Sequence, residues 1–168
     1  MLSFYVHIPY CVRRCGYCDF NTYTPSELQD GATLEIVSND YIDAVLRELD
    51  TAPKDTVPTI FFGGGTPSLL PADDLGRVIT AIKNRNGFAP DCEITLEANP
   101  DSVTAEKLAQ YLKVGFNRIS FGMQSAKPHV LAALDRTHNP ANVEKAISMA
   151  RAAGFKSISV DLIYGTPG

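Results

Sequence analysis

The stretch CVRRCGYC, residues 11 to 18, holds three of the chain's four cysteines, with three residues between Cys11 and Cys15 and two between Cys15 and Cys18. In a reducing compartment clustered thiols are ligands or catalysts more often than disulfide partners. Two metal chemistries compete for them. A closed structural zinc site needs four ligands, and His7 would complete a Cys3His set, whereas Cys92 stands far off in the sequence. A [4Fe-4S] cluster takes one thiolate per iron, so three thiolates leave one iron open to a small chelating molecule.

The elements that would position these cysteines alternate along the chain. Strand candidates are SFYVHI (3 to 8), TIFFG (59 to 63), EITLEA (93 to 98), RISFGM (118 to 123) and SISVDLI (157 to 163). Helical periodicity fills 35 to 50, 72 to 86, 104 to 113 and 128 to 153, the last interrupted at Asn139-Pro140. Pro71 with Asp73 and Asp74 reads as a helix start, as does Asp101 to Glu106, while Gly115 and Gly154 stand where helix C-caps fall. Strand and helix at this spacing predict βαβ units and an α/β fold with a parallel sheet, right-handed and closing or part-closing into a barrel. The fifth strand candidate runs into YGTPG with no returning helix, so the chain reads as the front part of a longer protein, against the alternative of a complete five-stranded domain.

Barrels of this kind build their sites at the carboxyl ends of the strands. There strand one leads to the cysteines, strand two to GGGTPS, strand three to Glu97, strand four to Gln124, and strand five carries Asp161. The glycines do not form a phosphate loop, which needs Gly-Lys-Ser/Thr, nor a dinucleotide fingerprint, and alone they would be an ordinary loop. An acid within the apolar run ISVDLIYG needs a partner.

At 168 residues, 45% hydrophobic, 20% charged and net charge −4, the chain is about one globular domain with no field for nucleic acid. No apolar run reaches membrane-spanning length, and MLSFYVHIPY lacks the basic region and apolar core of a secretory signal. The expected location is the cytoplasm.

The segments YVHIPYCVRRCGYCDF, FFGGGTPS, LEANP, RISFGMQS and VDLIYGTPG, in this order from residue 3 to residue 168, resemble the radical S-adenosylmethionine (SAM) family of oxygen-independent coproporphyrinogen III oxidase and its heme chaperone relatives. The resemblance implies a partial (β/α)6 barrel followed by a smaller C-terminal domain, so that residues 1–168 are an incomplete radical SAM core with five strands, ending before the sixth. It assigns Cys11, Cys15 and Cys18 to a [4Fe-4S] cluster. It places Tyr5 beside SAM, Tyr17 near cluster and cofactor, Gly64, Gly65 and Thr66 along the methionine part, and Glu97 on the same cofactor. Gln124, Arg136 and Asp161 match further positions around that pocket or a second SAM. Without the motif, Arg136 reads as a solvated helix-face arginine, and His7 and His138 receive no catalytic role.

The oxidases of this family carry a cysteine two residues after the third cluster ligand. This chain has Phe20 there, in the CDF spelling typical of the chaperone branch. The resemblance therefore implies a heme-binding, heme-delivering protein, with a recipient hemoprotein and a respiratory-chain protein at the membrane as partners. Its alternative is a coproporphyrinogen III dehydrogenase-like oxidoreductase that turns two propionates into vinyls, and behind that stands the zinc-binding α/β domain.

Overall fold

Alternating β-branched and aromatic runs form five strands: β1 (Phe4–Ile8), β2 (Val57–Gly64), β3 (Phe88–Ala98), β4 (Arg118–Gln124) and β5 (Ser157–Leu162). The helices are α1 (Leu34–Leu49), α2 (Ala72–Asn86), α3 (Ala105–Lys113), α4 (Pro128–Ala133) and α5 (Pro140–Ala153). The computed structural model describes residues 1–28 and 34–166, the side chains of 34–37 excepted, so Pro167 and Gly168 of VDLIYGTPG lie outside the described residues.

All strand pairs are parallel and follow the chain, β1-β2-β3-β4-β5. A doubly wound nucleotide-binding sheet would reverse its order at a switch point; this one winds steadily, as a barrel wall does. Register gives the wall two unlike faces. Val6, Phe62, Leu96 and Ile119 align in one row, all at most 5% exposed, and pack with α2, α3 and α5 into the apolar core. One residue along, Tyr5, Phe61, Thr95, Arg118 and Ser157 align on the opposite face. Strands buried on both faces read as continuous apolar runs. Here the second face is polar: Arg118 donates to Thr95 Oγ1 (3.2 Å) and Ser159 Oγ (2.9 Å), Ser159 to Ser120 (2.7 Å), and Ser120 to Asp161 (2.9 Å).

Three details differ from the sequence expectation. The strand beginning at 93 starts at Phe88 instead, because Gly87 at φ 75 turns the chain straight from α2 into β3. The stretch 128 to 153 is two helices separated by Leu134 to Asn139, wider than a proline break alone, with Asp135 left-handed (φ 53) and the Asn139 side chain accepting from Ala141 N–H. Short 3₁₀ turns at Pro25–Glu27, Pro67–Leu69 and Pro100–Ser102 were not expected. The last two hold the rim: Ser68 and Ser102 hydroxyls meet at 2.5 Å, and the buried Tyr111 hydroxyl donates to the Ser68 and Leu70 carbonyls (3.0 and 2.9 Å).

Candidate cofactor site

The carboxyl ends of the strands surround an open cavity of about 610 Å³. The loop after β1 brings Cys11, Cys15, Tyr17 and Cys18 to it, the end of β2 brings Gly64, Gly65 and Thr66, and β3, β4 and β5 bring Glu97, Gln124 and Asp161. Arg136 reaches in from the α4–α5 connection. A solvated helix-face arginine is thus not what it is. Tyr5 is the one predicted site residue outside the cavity lining; it stands on the polar wall, 57% exposed, near enough to Glu97 that this carboxylate, after burial, pushes its phenol upward.

His7 explains how Tyr5 is held. Its Nε2 lies 2.8 Å from the Asn21 carbonyl, which only accepts, so Nε2 carries the proton and Nδ1 accepts from the Tyr5 hydroxyl at 3.0 Å. With both ring nitrogens engaged, His7 is no fourth ligand. Among the described residues no three His, Cys, Asp or Glu side chains converge on a single metal ion. Cys92 is buried on β3, five residues or about 17 Å of strand before Glu97. The Cys3His zinc arrangement is therefore not formed.

The fold itself also requires the glycines. A Cβ on Gly64, at φ 109, would meet the His7 ring at 2.5 Å, and one on Gly65 would meet the Tyr10 and Ile8 carbonyl oxygens at 2.6 and 2.9 Å. The collisions are with the protein itself, where the end of β2 crosses the start of the cysteine loop. The backbone N–H groups here are also engaged: Gly64 donates to Glu97 Oε2 (3.1 Å), Gly65 to Ile8 (2.7 Å) and Thr66 to Tyr10 (2.8 Å). This turn is consequently no anion-binding nest of free N–H groups.

The thiols have donors of their own. Thr66 Oγ1 lies 3.7 Å from Cys11 Sγ, and Arg136 Nη1 lies 3.5 Å from Cys15 Sγ. Burial pushes the Cys11 thiol up, aided by the other two cysteines and opposed by the Thr66 hydroxyl. Burial likewise pushes the Tyr17 phenol up to about 12, against the pull of Arg136. Three thiols that line one cavity without converging on a point, two of them with hydrogen-bond donors for the thiolate form, suit a multi-iron cluster rather than one ion.

Glu97 sits above its ordinary value near 4.5, first through burial, with the Asp161 charge adding and the Gly64 N–H opposing. The folded chain then keeps a proton that the unfolded chain has lost, so stability falls as pH rises from about 4.5 through the folded value. Glu97→Gln retains an acceptor for Gly64 N–H and removes this titration. Its melting temperature is expected to exceed that of the unsubstituted protein above the raised pKa and to lose that part of the pH slope, as thermal melts from pH 4 to 8 would read.

The comparisons with known proteins agree with this architecture. The sequence profile of the radical SAM superfamily matches residues 5–168. The heme chaperone HemW of Mycobacterium tuberculosis is 46% identical over 169 residues, covering 98% of this chain and 42% of that protein. The heme chaperone HemW of Escherichia coli is 39% identical, with 99% and 43% covered. Among solved structures, the coproporphyrinogen III oxidase HemN of Escherichia coli, described as a radical SAM enzyme, superposes with a TM-score of 0.82 at 30% identity, over 98% of this chain and 37% of that one. The chain spans less than half the length of each of these relatives.

Proposed function

The chain belongs to the radical SAM superfamily, and from that premise we propose that its cavity holds a [4Fe-4S] cluster on Cys11, Cys15 and Cys18 with SAM beside it, in a protein that binds heme and delivers it to hemoproteins. The observation that carries the cofactor reading is the opening of these three thiols into the same cavity as Glu97, Asp161 and Arg136. When bound, cluster and SAM supply one-electron chemistry; the chain supplies binding, orientation and exclusion of water. Glu97 and Asp161 suit the positive ammonium and sulfonium groups of SAM. Arg136 keeps two N–H protons beyond its three present bonds for an anionic group, and Thr66 and Arg136 steady the thiolates.

Phe20 supports the chaperone reading over the oxidase. It lines the cavity mouth at 64% exposure, where the oxidases of the family have a further cysteine. The identities of 46% and 39% to heme chaperones, against 30% to the oxidase, point the same way. A recipient hemoprotein and a respiratory-chain protein are the proposed partners, and the cytoplasm the proposed location. Among the described residues no helix is long and apolar enough to cross a membrane.

The test combines an iron and sulfide count with electron paramagnetic resonance of the anaerobically reconstituted, dithionite-reduced protein, with and without SAM, followed by heme titration and transfer to an apo-hemoprotein. A cluster signal altered by SAM, with heme uptake and release, is the expected result. Stoichiometric zinc without a cluster would overturn the cofactor reading, and protoporphyrinogen formed from coproporphyrinogen III without heme transfer would favour the oxidase.

A further inference from the structure

Among the described residues, one side-chain atom is buried without a hydrogen-bond partner: Nε2 of His138. The residue is 4% exposed and closes the α4–α5 connection, just before the Asn139 cap of α5. A buried polar atom left unpaired is costly, so its ring must do something that outweighs this. The same connection is where the cysteine loop docks. Gly16 N–H donates to the Leu134 carbonyl at 3.2 Å, Arg13 faces Asp135 at 4.0 Å, and Arg136 reaches Cys15.

Arg136 makes three bonds from three nitrogens. Nη2 donates to the Gly122 carbonyl at 2.7 Å, Nη1 points to Cys15 Sγ at 3.5 Å, and Nε donates to His138 Nδ1 at 3.3 Å. A guanidinium is always protonated and has no acceptor, so His138 Nδ1 must be bare and its proton must sit on Nε2, the atom without a partner. Burial, then the Arg136 charge, oppose a second proton on the ring, against the Asp101 charge and the nearby Met123 backbone. A carboxylate in this place would orient the arginine equally well but would cancel its charge. A neutral imidazole orients it and leaves the positive charge for the thiolates and the ligand.

We propose that His138 is the positioning residue of Arg136: as the neutral Nε2–H tautomer it anchors the guanidinium so that Nη1 stays on Cys15 and the remaining N–H groups face the cavity. This deepens the cofactor reading above and rests on it for its consequence. A free arginine side chain samples many rotamers, and this anchor, with the Gly122 carbonyl, restricts them before any ligand arrives.

Two measurements on the full chain decide it. The first is nitrogen-15 NMR of the imidazole and guanidinium groups before cluster loading. A bare Nδ1 and a slowly exchanging Arg136 Nε–H that is lost in His138→Leu are expected; a proton on Nδ1 would overturn the proposal. The second is SAM titration calorimetry of the cluster-loaded protein. His138→Leu is expected to weaken binding about tenfold and His138→Gln, whose amide oxygen still accepts, by less than about threefold. His138→Asp, an acceptor with a negative charge, should fall between. Combined with Arg136→Ala, His138→Leu should cost nothing further, because the two act as one unit. Additive losses, or a lowered melting temperature with unchanged SAM affinity, would refute the positioning role. Should His138→Leu fail to fold, the His138→Gln and His138→Asp pair still separates orientation from charge. If the unsubstituted protein takes up no SAM, the cofactor reading fails on its own, and the NMR result still decides His138.

Discussion

Serine in place of Cys11, Cys15 or Cys18 is expected to reduce iron and sulfide in the reconstituted protein to about a tenth or less, while Cys92→Ser keeps both. The contrast is geometric. The first three thiols line the cavity at the carboxyl ends of the strands. Cys92 is 9% exposed among core residues of β3, and burial raises its thiol with no partner charge to bring it down. Its replacement exchanges a small apolar-like group for a hydroxyl in the core and is expected to cost about 1 kcal/mol of stability, leaving cluster content alone. Inductively coupled plasma iron analysis with a sulfide assay on the four variants reads the outcome. Equal loss in all four would mean that iron content reports general unfolding.

Gly65→Ala should have the largest effect of any single methyl group added to the rim. Its Cβ would be forced to within 2.6 Å of the Tyr10 carbonyl and 2.9 Å of the Ile8 carbonyl, and these are backbone atoms that cannot rotate aside. The same two residues accept the Gly65 and Thr66 N–H bonds that tie β2 to the start of the cysteine loop, so relief of the clash pulls both bonds apart. A cost of about 3 kcal/mol follows from overpacking of this kind, or a fall in melting temperature of roughly 6 to 12 °C for a chain of this size. Gly87→Ala is the control. Nothing lies within 4 Å of its Cβ, so the penalty there is only that of a side chain at φ 75 and ψ 156, about 1 to 3 kcal/mol. Loss of SAM affinity in Gly65→Ala but not in Gly87→Ala would tie the effect to the rim. Similar melts for the two would show that the β2 rim yields more easily than its backbone contacts imply.

The strands were legible because each carries β-branched and aromatic residues at the period of a pleated sheet, and four of the five predicted starts fall within two residues of those observed. β3 was the exception: Phe88 pairs with Val57 and Glu93 with Thr59, so the poor strand formers Pro90 and Asp91 fall in the register shift between these pairs, and no alternating pattern marks the start of the strand. The unwinding at Leu134 to Asn139 was equally hidden. Asn139-Pro140 marks the start of α5, but α4 ends earlier, where Asp135 turns left-handed and the cysteine loop docks through Gly16 onto the Leu134 carbonyl. A local window contains no signal for a contact that joins residue 16 to residue 134.

The candidate site divides along the same line. The cysteine spacing, the glycine run and the acids at the strand ends stand in the sequence because parallel strands deliver their carboxyl ends to one rim whatever the loops between them do. The roles of His7 and His138 do not, and neither did the physical reason for Gly64 and Gly65. A histidine's partners are set by which backbone carbonyl or guanidinium the folded chain brings to each nitrogen, and a glycine's necessity by which atoms crowd its missing side chain. Residue type and local spacing therefore determined the barrel wall and the thiol set. Only the packing of distant segments decided that His7 faces Tyr5 and Asn21 rather than a metal, that the β2 turn binds its own neighbours, and that Arg136 is held against Cys15 by a neutral imidazole.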